Sequence, residues 1–172
     1  MSLHELELAA RVSDKILCIN GTCVDRFGKP EEVFEQGYIS KLFSIVSGSF
    51  DEENGSMELE PAKGEAKVFV IAGGGTGRNV YRRLQRQGVP FITGVLSQND
   101  LDYPVAKALA TEVIATNTFE PIMEEHMQEA RKKLTSCDKI ICCKETFGTL
   151  EQANLELLKF AKESGKEIEM NC

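Results

Sequence analysis

The hydrophobic pattern of the chain changes near residue 60, and the longer part after it alternates between strand-like and helix-like stretches. Val68–Ala72 is continuously apolar, as in a strand that is covered on both faces. Amphipathic stretches separate it from four more strand-like runs, which are Phe91–Leu96, Glu112–Ala115, Lys139–Cys143 and Glu167–Met170. Five strands that alternate with four helices predict an α/β fold: a mostly parallel five-stranded sheet of Rossmann-like or flavodoxin-like type with helices on both faces. The pattern leaves the strand order open.

Two of the predicted helices have apolar faces with helical spacing. The inward face of the third helix is predicted to carry Met123, Met127, Ala130 and Leu134. The inward face of the fourth is predicted to carry Leu150, Ala153, Leu157 and Ala161. Thr149 and Gln152 have the spacing of a capping box, which predicts that the fourth helix begins there.

The first third of the chain predicts a helix–hairpin–helix stub. Its predicted elements are a helix in Leu3–Val12, a hairpin in Lys15–Phe27, and short helices at Pro30–Phe34 and Tyr38–Ile45. Asn20-Gly21 is a strong hairpin signal, because a type I′ turn needs positive φ at both central residues. This turn would place Cys18 opposite Cys23, with their Cβ atoms about 4.5–5.5 Å apart. Such a pair fits two reduced, packed thiols, and a redox pair or a metal site stays open as an alternative.

A polar connector separates the stub from the α/β part. Ser, Gly, Asp, Glu and Asn dominate residues 47–66, and Asp51–Gly55 is predicted to be a turn. Short strands are predicted before this turn at Ser44–Val46 and after it at Ser56–Leu59. A lone hairpin with one helix is marginally stable in water, so we expect the stub to pack on a larger structure. The sequence therefore predicts a stub at 1–46, a linker at 47–66 and a self-sufficient α/β domain at 67–172.

Composition and charge narrow the classes of function. The chain has 172 residues and a formal net charge of −7. This charge argues against broad nucleic-acid binding, which needs clustered positive charge, and against electrostatic docking on an anionic membrane surface. No apolar run approaches the roughly 20 residues that span a bilayer. The six cysteines do not suggest a secreted disulfide framework in a chain of this length, so we expect a reducing cytosol.

Four loops rich in glycine and short polar side chains follow the predicted strands. Ligands bind at the carboxyl ends of the strands in an open parallel sheet, so these loops are expected to line one crevice. The expected partner is a small molecule or a nucleotide, which the sequence does not identify. The candidate binding residues are Gly73, Gly74, Gly75, Thr76, Gly77, Arg78, Ser97, Asn99, Asn117, Thr146, Gly148 and Thr149.

The glycine-rich loop at 73–78 allows two interpretations. Gly73 and Gly75 supply the first two glycines of G-x-G-x-x-G, but Arg78 occupies the last position. A loop between a strand and a helix could aim its backbone N–H groups at a phosphate. It could equally be a tight turn that needs glycine for its backbone geometry. Neither Asp100 nor Asp102 follows the second strand closely enough to be assigned as the ribose acceptor of an NAD site.

The α/β part lacks a recognisable catalytic or metal-binding motif. Cys142 and Cys143 are adjacent on a strand and therefore point to opposite faces, which argues against one metal ion bound by both. His126 is expected at the boundary of its helix. The sequence contains no G-x-S-x-G, no H-E-x-x-H and no cysteine and histidine cluster with zinc spacing. We predict no metal and find no convincing catalytic set.

Several signals near the start of the chain occur in a characteristic order. The segment His4–Leu17 leads into the Asn20-Gly21 turn, and Gly28-Lys29-Pro30-Glu31-Glu32-Val33-Phe34 follows. In this order they resemble the end of an ABC transporter ATP-binding subunit of the iron-siderophore and cobalamin uptake type. The His-Glu pair at positions 4 and 5 departs from that pattern, in which His-Asp is commoner.

The resemblance implies an ATP-dependent role for the intact ATPase, and we do not expect this chain to perform that role alone. His4 would be the switch histidine that contacts the γ-phosphate of ATP, with Mg²⁺ as the accompanying ion. The resemblance also implies transporter membrane subunits as partners, and a cytoplasmic location at the membrane through that complex. The chain contains no G-x-x-x-x-G-K-[ST] loop, no family signature and no Walker B strand, so phosphoryl transfer lacks its positioning and charge stabilisation. We expect no ATP hydrolysis by this chain alone.

The function expected from these observations is regulatory. The α/β domain would be appended to the ATPase, bind a small anionic or nucleotide-like ligand, and adjust transport. Two alternatives stay open. One is a nucleotide-dependent oxidoreductase or transferase that uses the same crevice, and the other is a structural module that forms a homodimer.

Overall fold

The computed structural model of the chain describes residues 6–35, 37–42, 49–51 and 56–171. The chain divides into two compact units, Met1–Leu59 and Glu60–Cys172. His4 and the strand predicted at Ser44–Val46 lie outside the described residues. Within the described residues, no helix combines the length and apolar character that crossing a membrane requires.

The first unit consists of short elements around a hairpin. They are α1 (Leu6–Val12), β1 (Ile16–Asn20), β2 (Cys23–Gly28), α2 (Pro30–Val33), α3 (Tyr38–Leu42), β3 (Ser49–Asp51) and β4 (Ser56–Glu58). Helix α2 contacts both α1 and β2, and it buries Val33. Arg26 on β2 forms an ion pair with Glu35 at 2.8 Å, and its guanidinium lies 4.0 Å from the centre of the Tyr38 ring. These contacts fasten the hairpin to the segment that follows it.

The hairpin turn lies one residue later than the sequence predicted. Asn20 remains in β1 and pairs with Cys23, so Gly21 and Thr22 form the turn, with Gly21 at φ +61°. A register shift between Cys18 and Ile19 then places Cys18 opposite Arg26. The prediction that Cys18 faces Cys23 was therefore wrong, because a one-residue change of register moves every cross-strand partner.

The second unit is a five-stranded parallel sheet with four α-helices. Its elements are β5 (Val68–Ile71), α4 (Arg78–Arg86), β6 (Phe91–Ser97), α5 (Tyr103–Leu109), β7 (Glu112–Thr116), α6 (Glu124–Ser136), β8 (Lys139–Cys142), α7 (Gln152–Glu163) and β9 (Glu167–Met170). The strand order is β7-β6-β5-β8-β9. This is the Rossmann type of order, in which the chain moves outward from a central strand and returns to its other side. The predicted fold class is confirmed.

Apolar side chains from alternate strand positions form two cores, one on each face of the sheet. One core contains Val68 and Val70 together with the buried faces of α4 and α5. The other contains Phe69 and Ile71 together with the buried faces of α6 and α7. Both faces are covered, which explains why β5 is apolar at every position.

Strand β6 is irregular just after its pairing with β5 ends at Thr93. Its pairing with β7 shifts between Thr93 and Leu96, so Gly94 and Val95 fall outside the regular ladder. A Cβ on Gly94 would lie 2.8 Å from the backbone oxygen of Ile114, which explains why glycine occupies this position. The buried Asn154 of α7 compensates for the missing ladder: its amide accepts from Val95 N and donates to Val95 O, at 2.9 and 3.0 Å.

Two helix starts differ from their predictions. Helix α6 begins at Glu124, which leaves Met123 outside it and 54% exposed rather than in the core. Ahead of α7, a short 3₁₀ turn at Thr149–Glu151 carries Leu150 outward, where it is 93% exposed. The cap is formed by Glu151, whose carboxylate accepts from Gly148 N at 2.8 Å. This cap is half of a capping box, because Gly148 has no side chain, and it lies one residue before the predicted pair Thr149 and Gln152.

Candidate ligand-binding cleft

A cleft of about 670 Å³ lies over the carboxyl ends of β5 and β6. The glycine loop after β5 and the β6–α5 loop form two of its sides, and the start of α7 forms another. Half of the predicted binding residues line it, namely Gly73, Gly74, Ser97, Asn99, Gly148 and Thr149. The structure thus brings together residues from three of the four predicted loops.

The other six predicted residues do not line the cleft. Thr76 donates its hydroxyl to Gly73 O at 2.9 Å, and Arg78 donates Nε to Leu101 O at 2.9 Å. Asn117 donates to Glu120 Oε2 at 2.8 Å on the loop after β7. The residues outside the lining are Gly75, Thr76, Gly77, Arg78, Asn117 and Thr146.

The glycine loop has a conformation that side chains would disturb. Gly73, Gly74 and Gly75 have φ values of +147°, +67° and +90°, a region that residues with a Cβ rarely adopt. Its backbone N–H groups turn toward the β6–α5 loop. Both carboxylate oxygens of Asp100 lie 3.0 Å from Gly74 N, and Asp102 Oδ2 lies 3.0 Å from Gly77 N. Backbone N–H groups of the loop therefore bind carboxylate oxygens, and two aspartates of the same chain supply three of them.

Asp102 is a buried carboxylate, and one of its two oxygens accepts no hydrogen bond within the described part of the chain. The residue is fully buried, and this oxygen is its Oδ1. Burial raises the pKa of Asp102, and the Gly77 N–H works against that rise by stabilising the charged form. The negative charge of Asp100 adds to the increase. Ionisation of Asp102 therefore costs free energy in the folded protein.

Lys144 and Glu151 form a charge pair on the other side of Gly73. Lys144 Nζ lies 2.6 Å from Glu151 Oε1 and donates to Gly73 O at 3.2 Å. Partial burial tends to raise the pKa of Glu151, but the hydrogen bonds from Lys144 and Gly148 N outweigh it and lower that pKa overall. Glu151 is thus ionised at neutral pH, and Lys144 and Gly148 N hold its carboxylate in the lining of the cleft.

The electrostatic character of the cleft is mixed. Its lining contains two charged side chains, Asp100 and Glu151, and both are acids. Their oxygens Oδ2 and Oε1 each lie 3.4 Å from where a Cβ on Gly73 would be. Gly74 N and Gly148 N are backbone donors that Asp100 and Glu151 already occupy, and the carboxylates supply acceptors. The arrangement suits a ligand with both an anionic group and hydroxyl or amino groups better than a bare anion.

Sequence reasoning missed Glu151 and Asn154. Asn154 lines the cleft and also donates to Ala72 O at 3.2 Å, which joins α7 to the end of β5. A polar residue inside the apolar face of α7 was the available signal, because a buried amide must find partners. Glu151 follows Gly148 by three residues, and that capping spacing could have identified it.

The described residues give no metal centre. Among them, no three His, Cys, Asp or Glu side chains gather closely enough to hold a metal ion. Cys142 and Cys143 belong to the cores on opposite faces of the sheet. His126 accepts a hydrogen bond from Met123 N at its Nδ1, 3.1 Å away, and so caps the start of α6.

Sequence comparison relates the chain to two groups of proteins. The family described as the MJ0874 family matches residues 91–170, which include β6 to β9. Protein MJ0874 of Methanocaldococcus jannaschii is 29% identical over 78 residues, which are 45% of this chain and 84% of that protein.

Longer relatives are ATP-binding proteins of transporters. The uncharacterized ABC transporter ATP-binding protein MJ0873 of Methanocaldococcus jannaschii is 36% identical over 99 residues, 56% of this chain and 34% of that protein. The cobalamin import ATP-binding protein BtuD of Halobacterium salinarum is 27% identical over 125 residues, 69% of this chain and 31% of that protein. The chain is therefore related to ABC transporter ATP-binding proteins, and it spans about a third of the length of these relatives.

Proposed function

We propose that this chain is the carboxyl-terminal part of an ATP-binding subunit of an ABC-type importer, and that its α/β unit binds a small nucleotide-like ligand in a regulatory role. The observation that carries the ligand-binding proposal is the cleft at the carboxyl edge of the sheet, formed by a glycine loop and the start of α7. Ligands bind at this edge in open parallel sheets generally.

The transporter half of the proposal is supported by sequence similarity. Relatives named as ABC transporter and cobalamin import ATP-binding proteins align with more than half of this chain. The parent protein would use ATP and Mg²⁺, contact membrane subunits, and carry the switch histidine at His4. Its cargo would be a cobalamin or an iron-siderophore, large chelates that such importers take up.

The ligand class follows from the donors and acceptors around Gly73. An anionic group can accept from backbone N–H groups of the glycine loop or the start of α7. Hydroxyl or amino groups can donate to Asp100 and Glu151, which line the cleft. The cleft volume of about 670 Å³ falls within the usual range for small-molecule sites. A nucleotide combines these groups in one molecule.

Regulation is proposed because the cleft offers binding groups without an assembled catalytic set. Within the described lining, the polar side chains are Ser97, Asn99, Asp100, Thr149, Glu151 and Asn154, with no cysteine, histidine or lysine among them. A ligand bound here would change transport through different affinities for two states of the transporter. The size of the effect would equal the difference between those two binding free energies.

A thermal-shift screen tests ligand binding directly. Nucleoside mono-, di- and triphosphates are added to the wild-type chain, to Thr149→Trp and to Thr118→Trp. Thr149 lines the cleft, whereas Thr118 is also exposed, lies on another loop at the same sheet edge and does not line it. We expect at least one nucleotide to raise the melting temperature of wild type and Thr118→Trp, and to lose this effect in Thr149→Trp. Absence of any shift in wild type, or equal shifts in all three proteins, contradicts the proposal.

The transporter parentage is tested separately at the genomic level. The reading frame upstream of the codon for His4 should encode a G-x-x-x-x-G-K-[ST] loop in phase with this chain. An in-frame stop codon immediately upstream, or an unrelated upstream domain, would remove the ATPase from the proposal and leave the cleft proposal untouched.

A further inference from the structure

The contact between Asp100 and the glycine loop has the chemistry of a bound ligand. Both carboxylate oxygens of Asp100 lie 3.0 Å from Gly74 N, and Oδ1 also accepts from Asp102 N at 2.8 Å. Asp100 itself lines the cleft beside Gly73. A carboxylate that accepts from the N–H of a glycine loop does what a phosphate oxygen does at such a loop. The anion position at Gly74 is therefore already occupied by a side chain of the same protein.

We infer that Asp100 is an internal competitor for the anionic group of the ligand, and that a phosphate enters at Gly74 by displacing the Asp100 carboxylate. This inference rests on the proposed function, in which the cleft takes a nucleotide-like ligand. Two negative groups cannot share one N–H at hydrogen-bonding distance without strong repulsion. Asp100 thus selects for ligands whose phosphate binds the loop better than a carboxylate does.

Displacement of Asp100 also provides a signal. Its carboxylate bridges Gly74 N and Asp102 N, so a movement of the carboxylate away from Gly74 N also changes its contact with Asp102 N. The β6–α5 loop is held to the glycine loop by two more contacts, from Arg78 Nε to Leu101 O and from Gly77 N to Asp102 Oδ2. A ligand that removes Asp100 from this set changes the anchoring of the segment that leads into α5. Occupancy of the cleft is thereby converted into a rearrangement of the loop.

The experiment uses inorganic phosphate as the probe and backbone amide signals as the readout. The ¹⁵N-labelled wild-type chain is titrated with phosphate at constant ionic strength, alongside Asp100→Asn and Glu145→Gln. The asparagine retains an acceptor for Asp102 N but carries no charge. Glu145 is an exposed acid on the loop before α7 that does not line the cleft, so its variant controls for a general change of charge.

We expect Asp100→Asn to bind phosphate about tenfold tighter or better, with the Gly74 signal following the titration, because the variant removes a competing charge from the site. Glu145→Gln should match wild type. In wild type, the Gly74 and Asp102 signals should move together with one midpoint. This wild-type measurement stands even if Asp100→Asn fails to fold.

Two results overturn the inference. One is a phosphate affinity in folded Asp100→Asn that is equal to or weaker than wild type, which would make Asp100 a structural clamp. The other is movement of the wild-type Gly74 signal without that of Asp102, or no movement of either. Failure of the proposed function has a different signature: no nucleotide shifts the melting temperature of wild type, whatever phosphate does in Asp100→Asn.

Discussion

Asn154 offers the sharpest test of how α7 is joined to the sheet below the cleft. Its side chain is 3% exposed and makes three hydrogen bonds, from Val95 N to Oδ1 and from Nδ2 to Ala72 O and Val95 O. The two Val95 groups lie where the β6 ladder is interrupted, so no strand partner pairs with them in place of the asparagine. Replacing Asn154 with alanine removes all three bonds and leaves buried backbone groups without partners.

The expected cost follows from these three bonds. At roughly 1 kcal/mol of net stability each, Asn154→Ala should lose about 3 kcal/mol of unfolding free energy. With a urea m-value of about 1–3 kcal/mol/M, the unfolding midpoint should fall by about 1–3 M. Asn154→Asp should cost at least as much, because it loses both donated bonds and buries a charge.

The assay is urea unfolding followed by far-ultraviolet circular dichroism, with Gln152→Ala as the matched control. Gln152 lies on the same helix but is exposed, and it makes a single bond to Gly148 O at 3.0 Å. Its substitution should change the unfolding free energy by less than about 0.5 kcal/mol. If Asn154→Ala falls within that same margin of wild type, the amide does not replace the missing ladder and this account of the α7–sheet junction is refuted.

Four further predictions follow from individual contacts. The Asp102→Asn variant should become more stable relative to wild type as pH rises above about 4, because the raised pKa of Asp102 makes its ionisation unfavourable in the folded protein. Urea unfolding across a range of pH measures this, and a difference in unfolding free energy that stays constant with pH would contradict it. The Glu169→Gln variant should lose less than about 1 kcal/mol of unfolding free energy at pH 7, and this loss should shrink below a pH of about 4. The reason is that hydrogen bonds from Lys139 and then Arg83 lower the pKa of Glu169. A loss that does not depend on pH in the same assay would refute this. Gly94→Ala should lower stability by about 1–3 kcal/mol, because its Cβ would meet the Ile114 backbone; a neutral result in thermal unfolding would show that β6 can shift. The purified chain should show no magnesium-dependent ATP hydrolysis above a protein-free blank, and measurable turnover would contradict its lack of a phosphate-binding lysine loop.

The sheet was predictable because its signals are long and redundant. All five strands of the α/β unit occur within one residue of their predicted bounds, as with Val68–Ile71 and Glu167–Met170. In β5 the signal is an apolar run of four or more residues flanked by turn residues, which is typical of a buried strand, whereas Glu167–Met170 alternates acidic and apolar residues. Strand order could not be predicted, because it depends on which helices cover which face and no local pattern encodes that.

Local registers were less predictable, for a physical reason that recurs at three places. The hairpin turn and the cap ahead of α7 each lie one residue from their predicted positions, and α6 begins one residue after Met123. As a result, Leu150 and Met123 are exposed, and Cys18 is separated from Cys23. Each of these boundaries depends on a local turn or cap that a neighbouring residue could also form, so the hydrophobic pattern alone does not fix its position to a single residue. Three of the four loops predicted from the sequence lie at one cleft, but no sequence signal indicated that Asp100 would turn back onto Gly74.

Amide chemical-shift mapping with the nucleotide that gives the largest thermal shift tests the proposed cleft most directly. The ¹⁵N-labelled chain is titrated to saturation and the shifted signals are assigned. We expect saturable changes at Gly73, Ser97 and Thr149, which line the cleft from three different loops. Changes confined to Met1–Leu59, or none that saturate, would contradict a ligand site at this edge of the sheet.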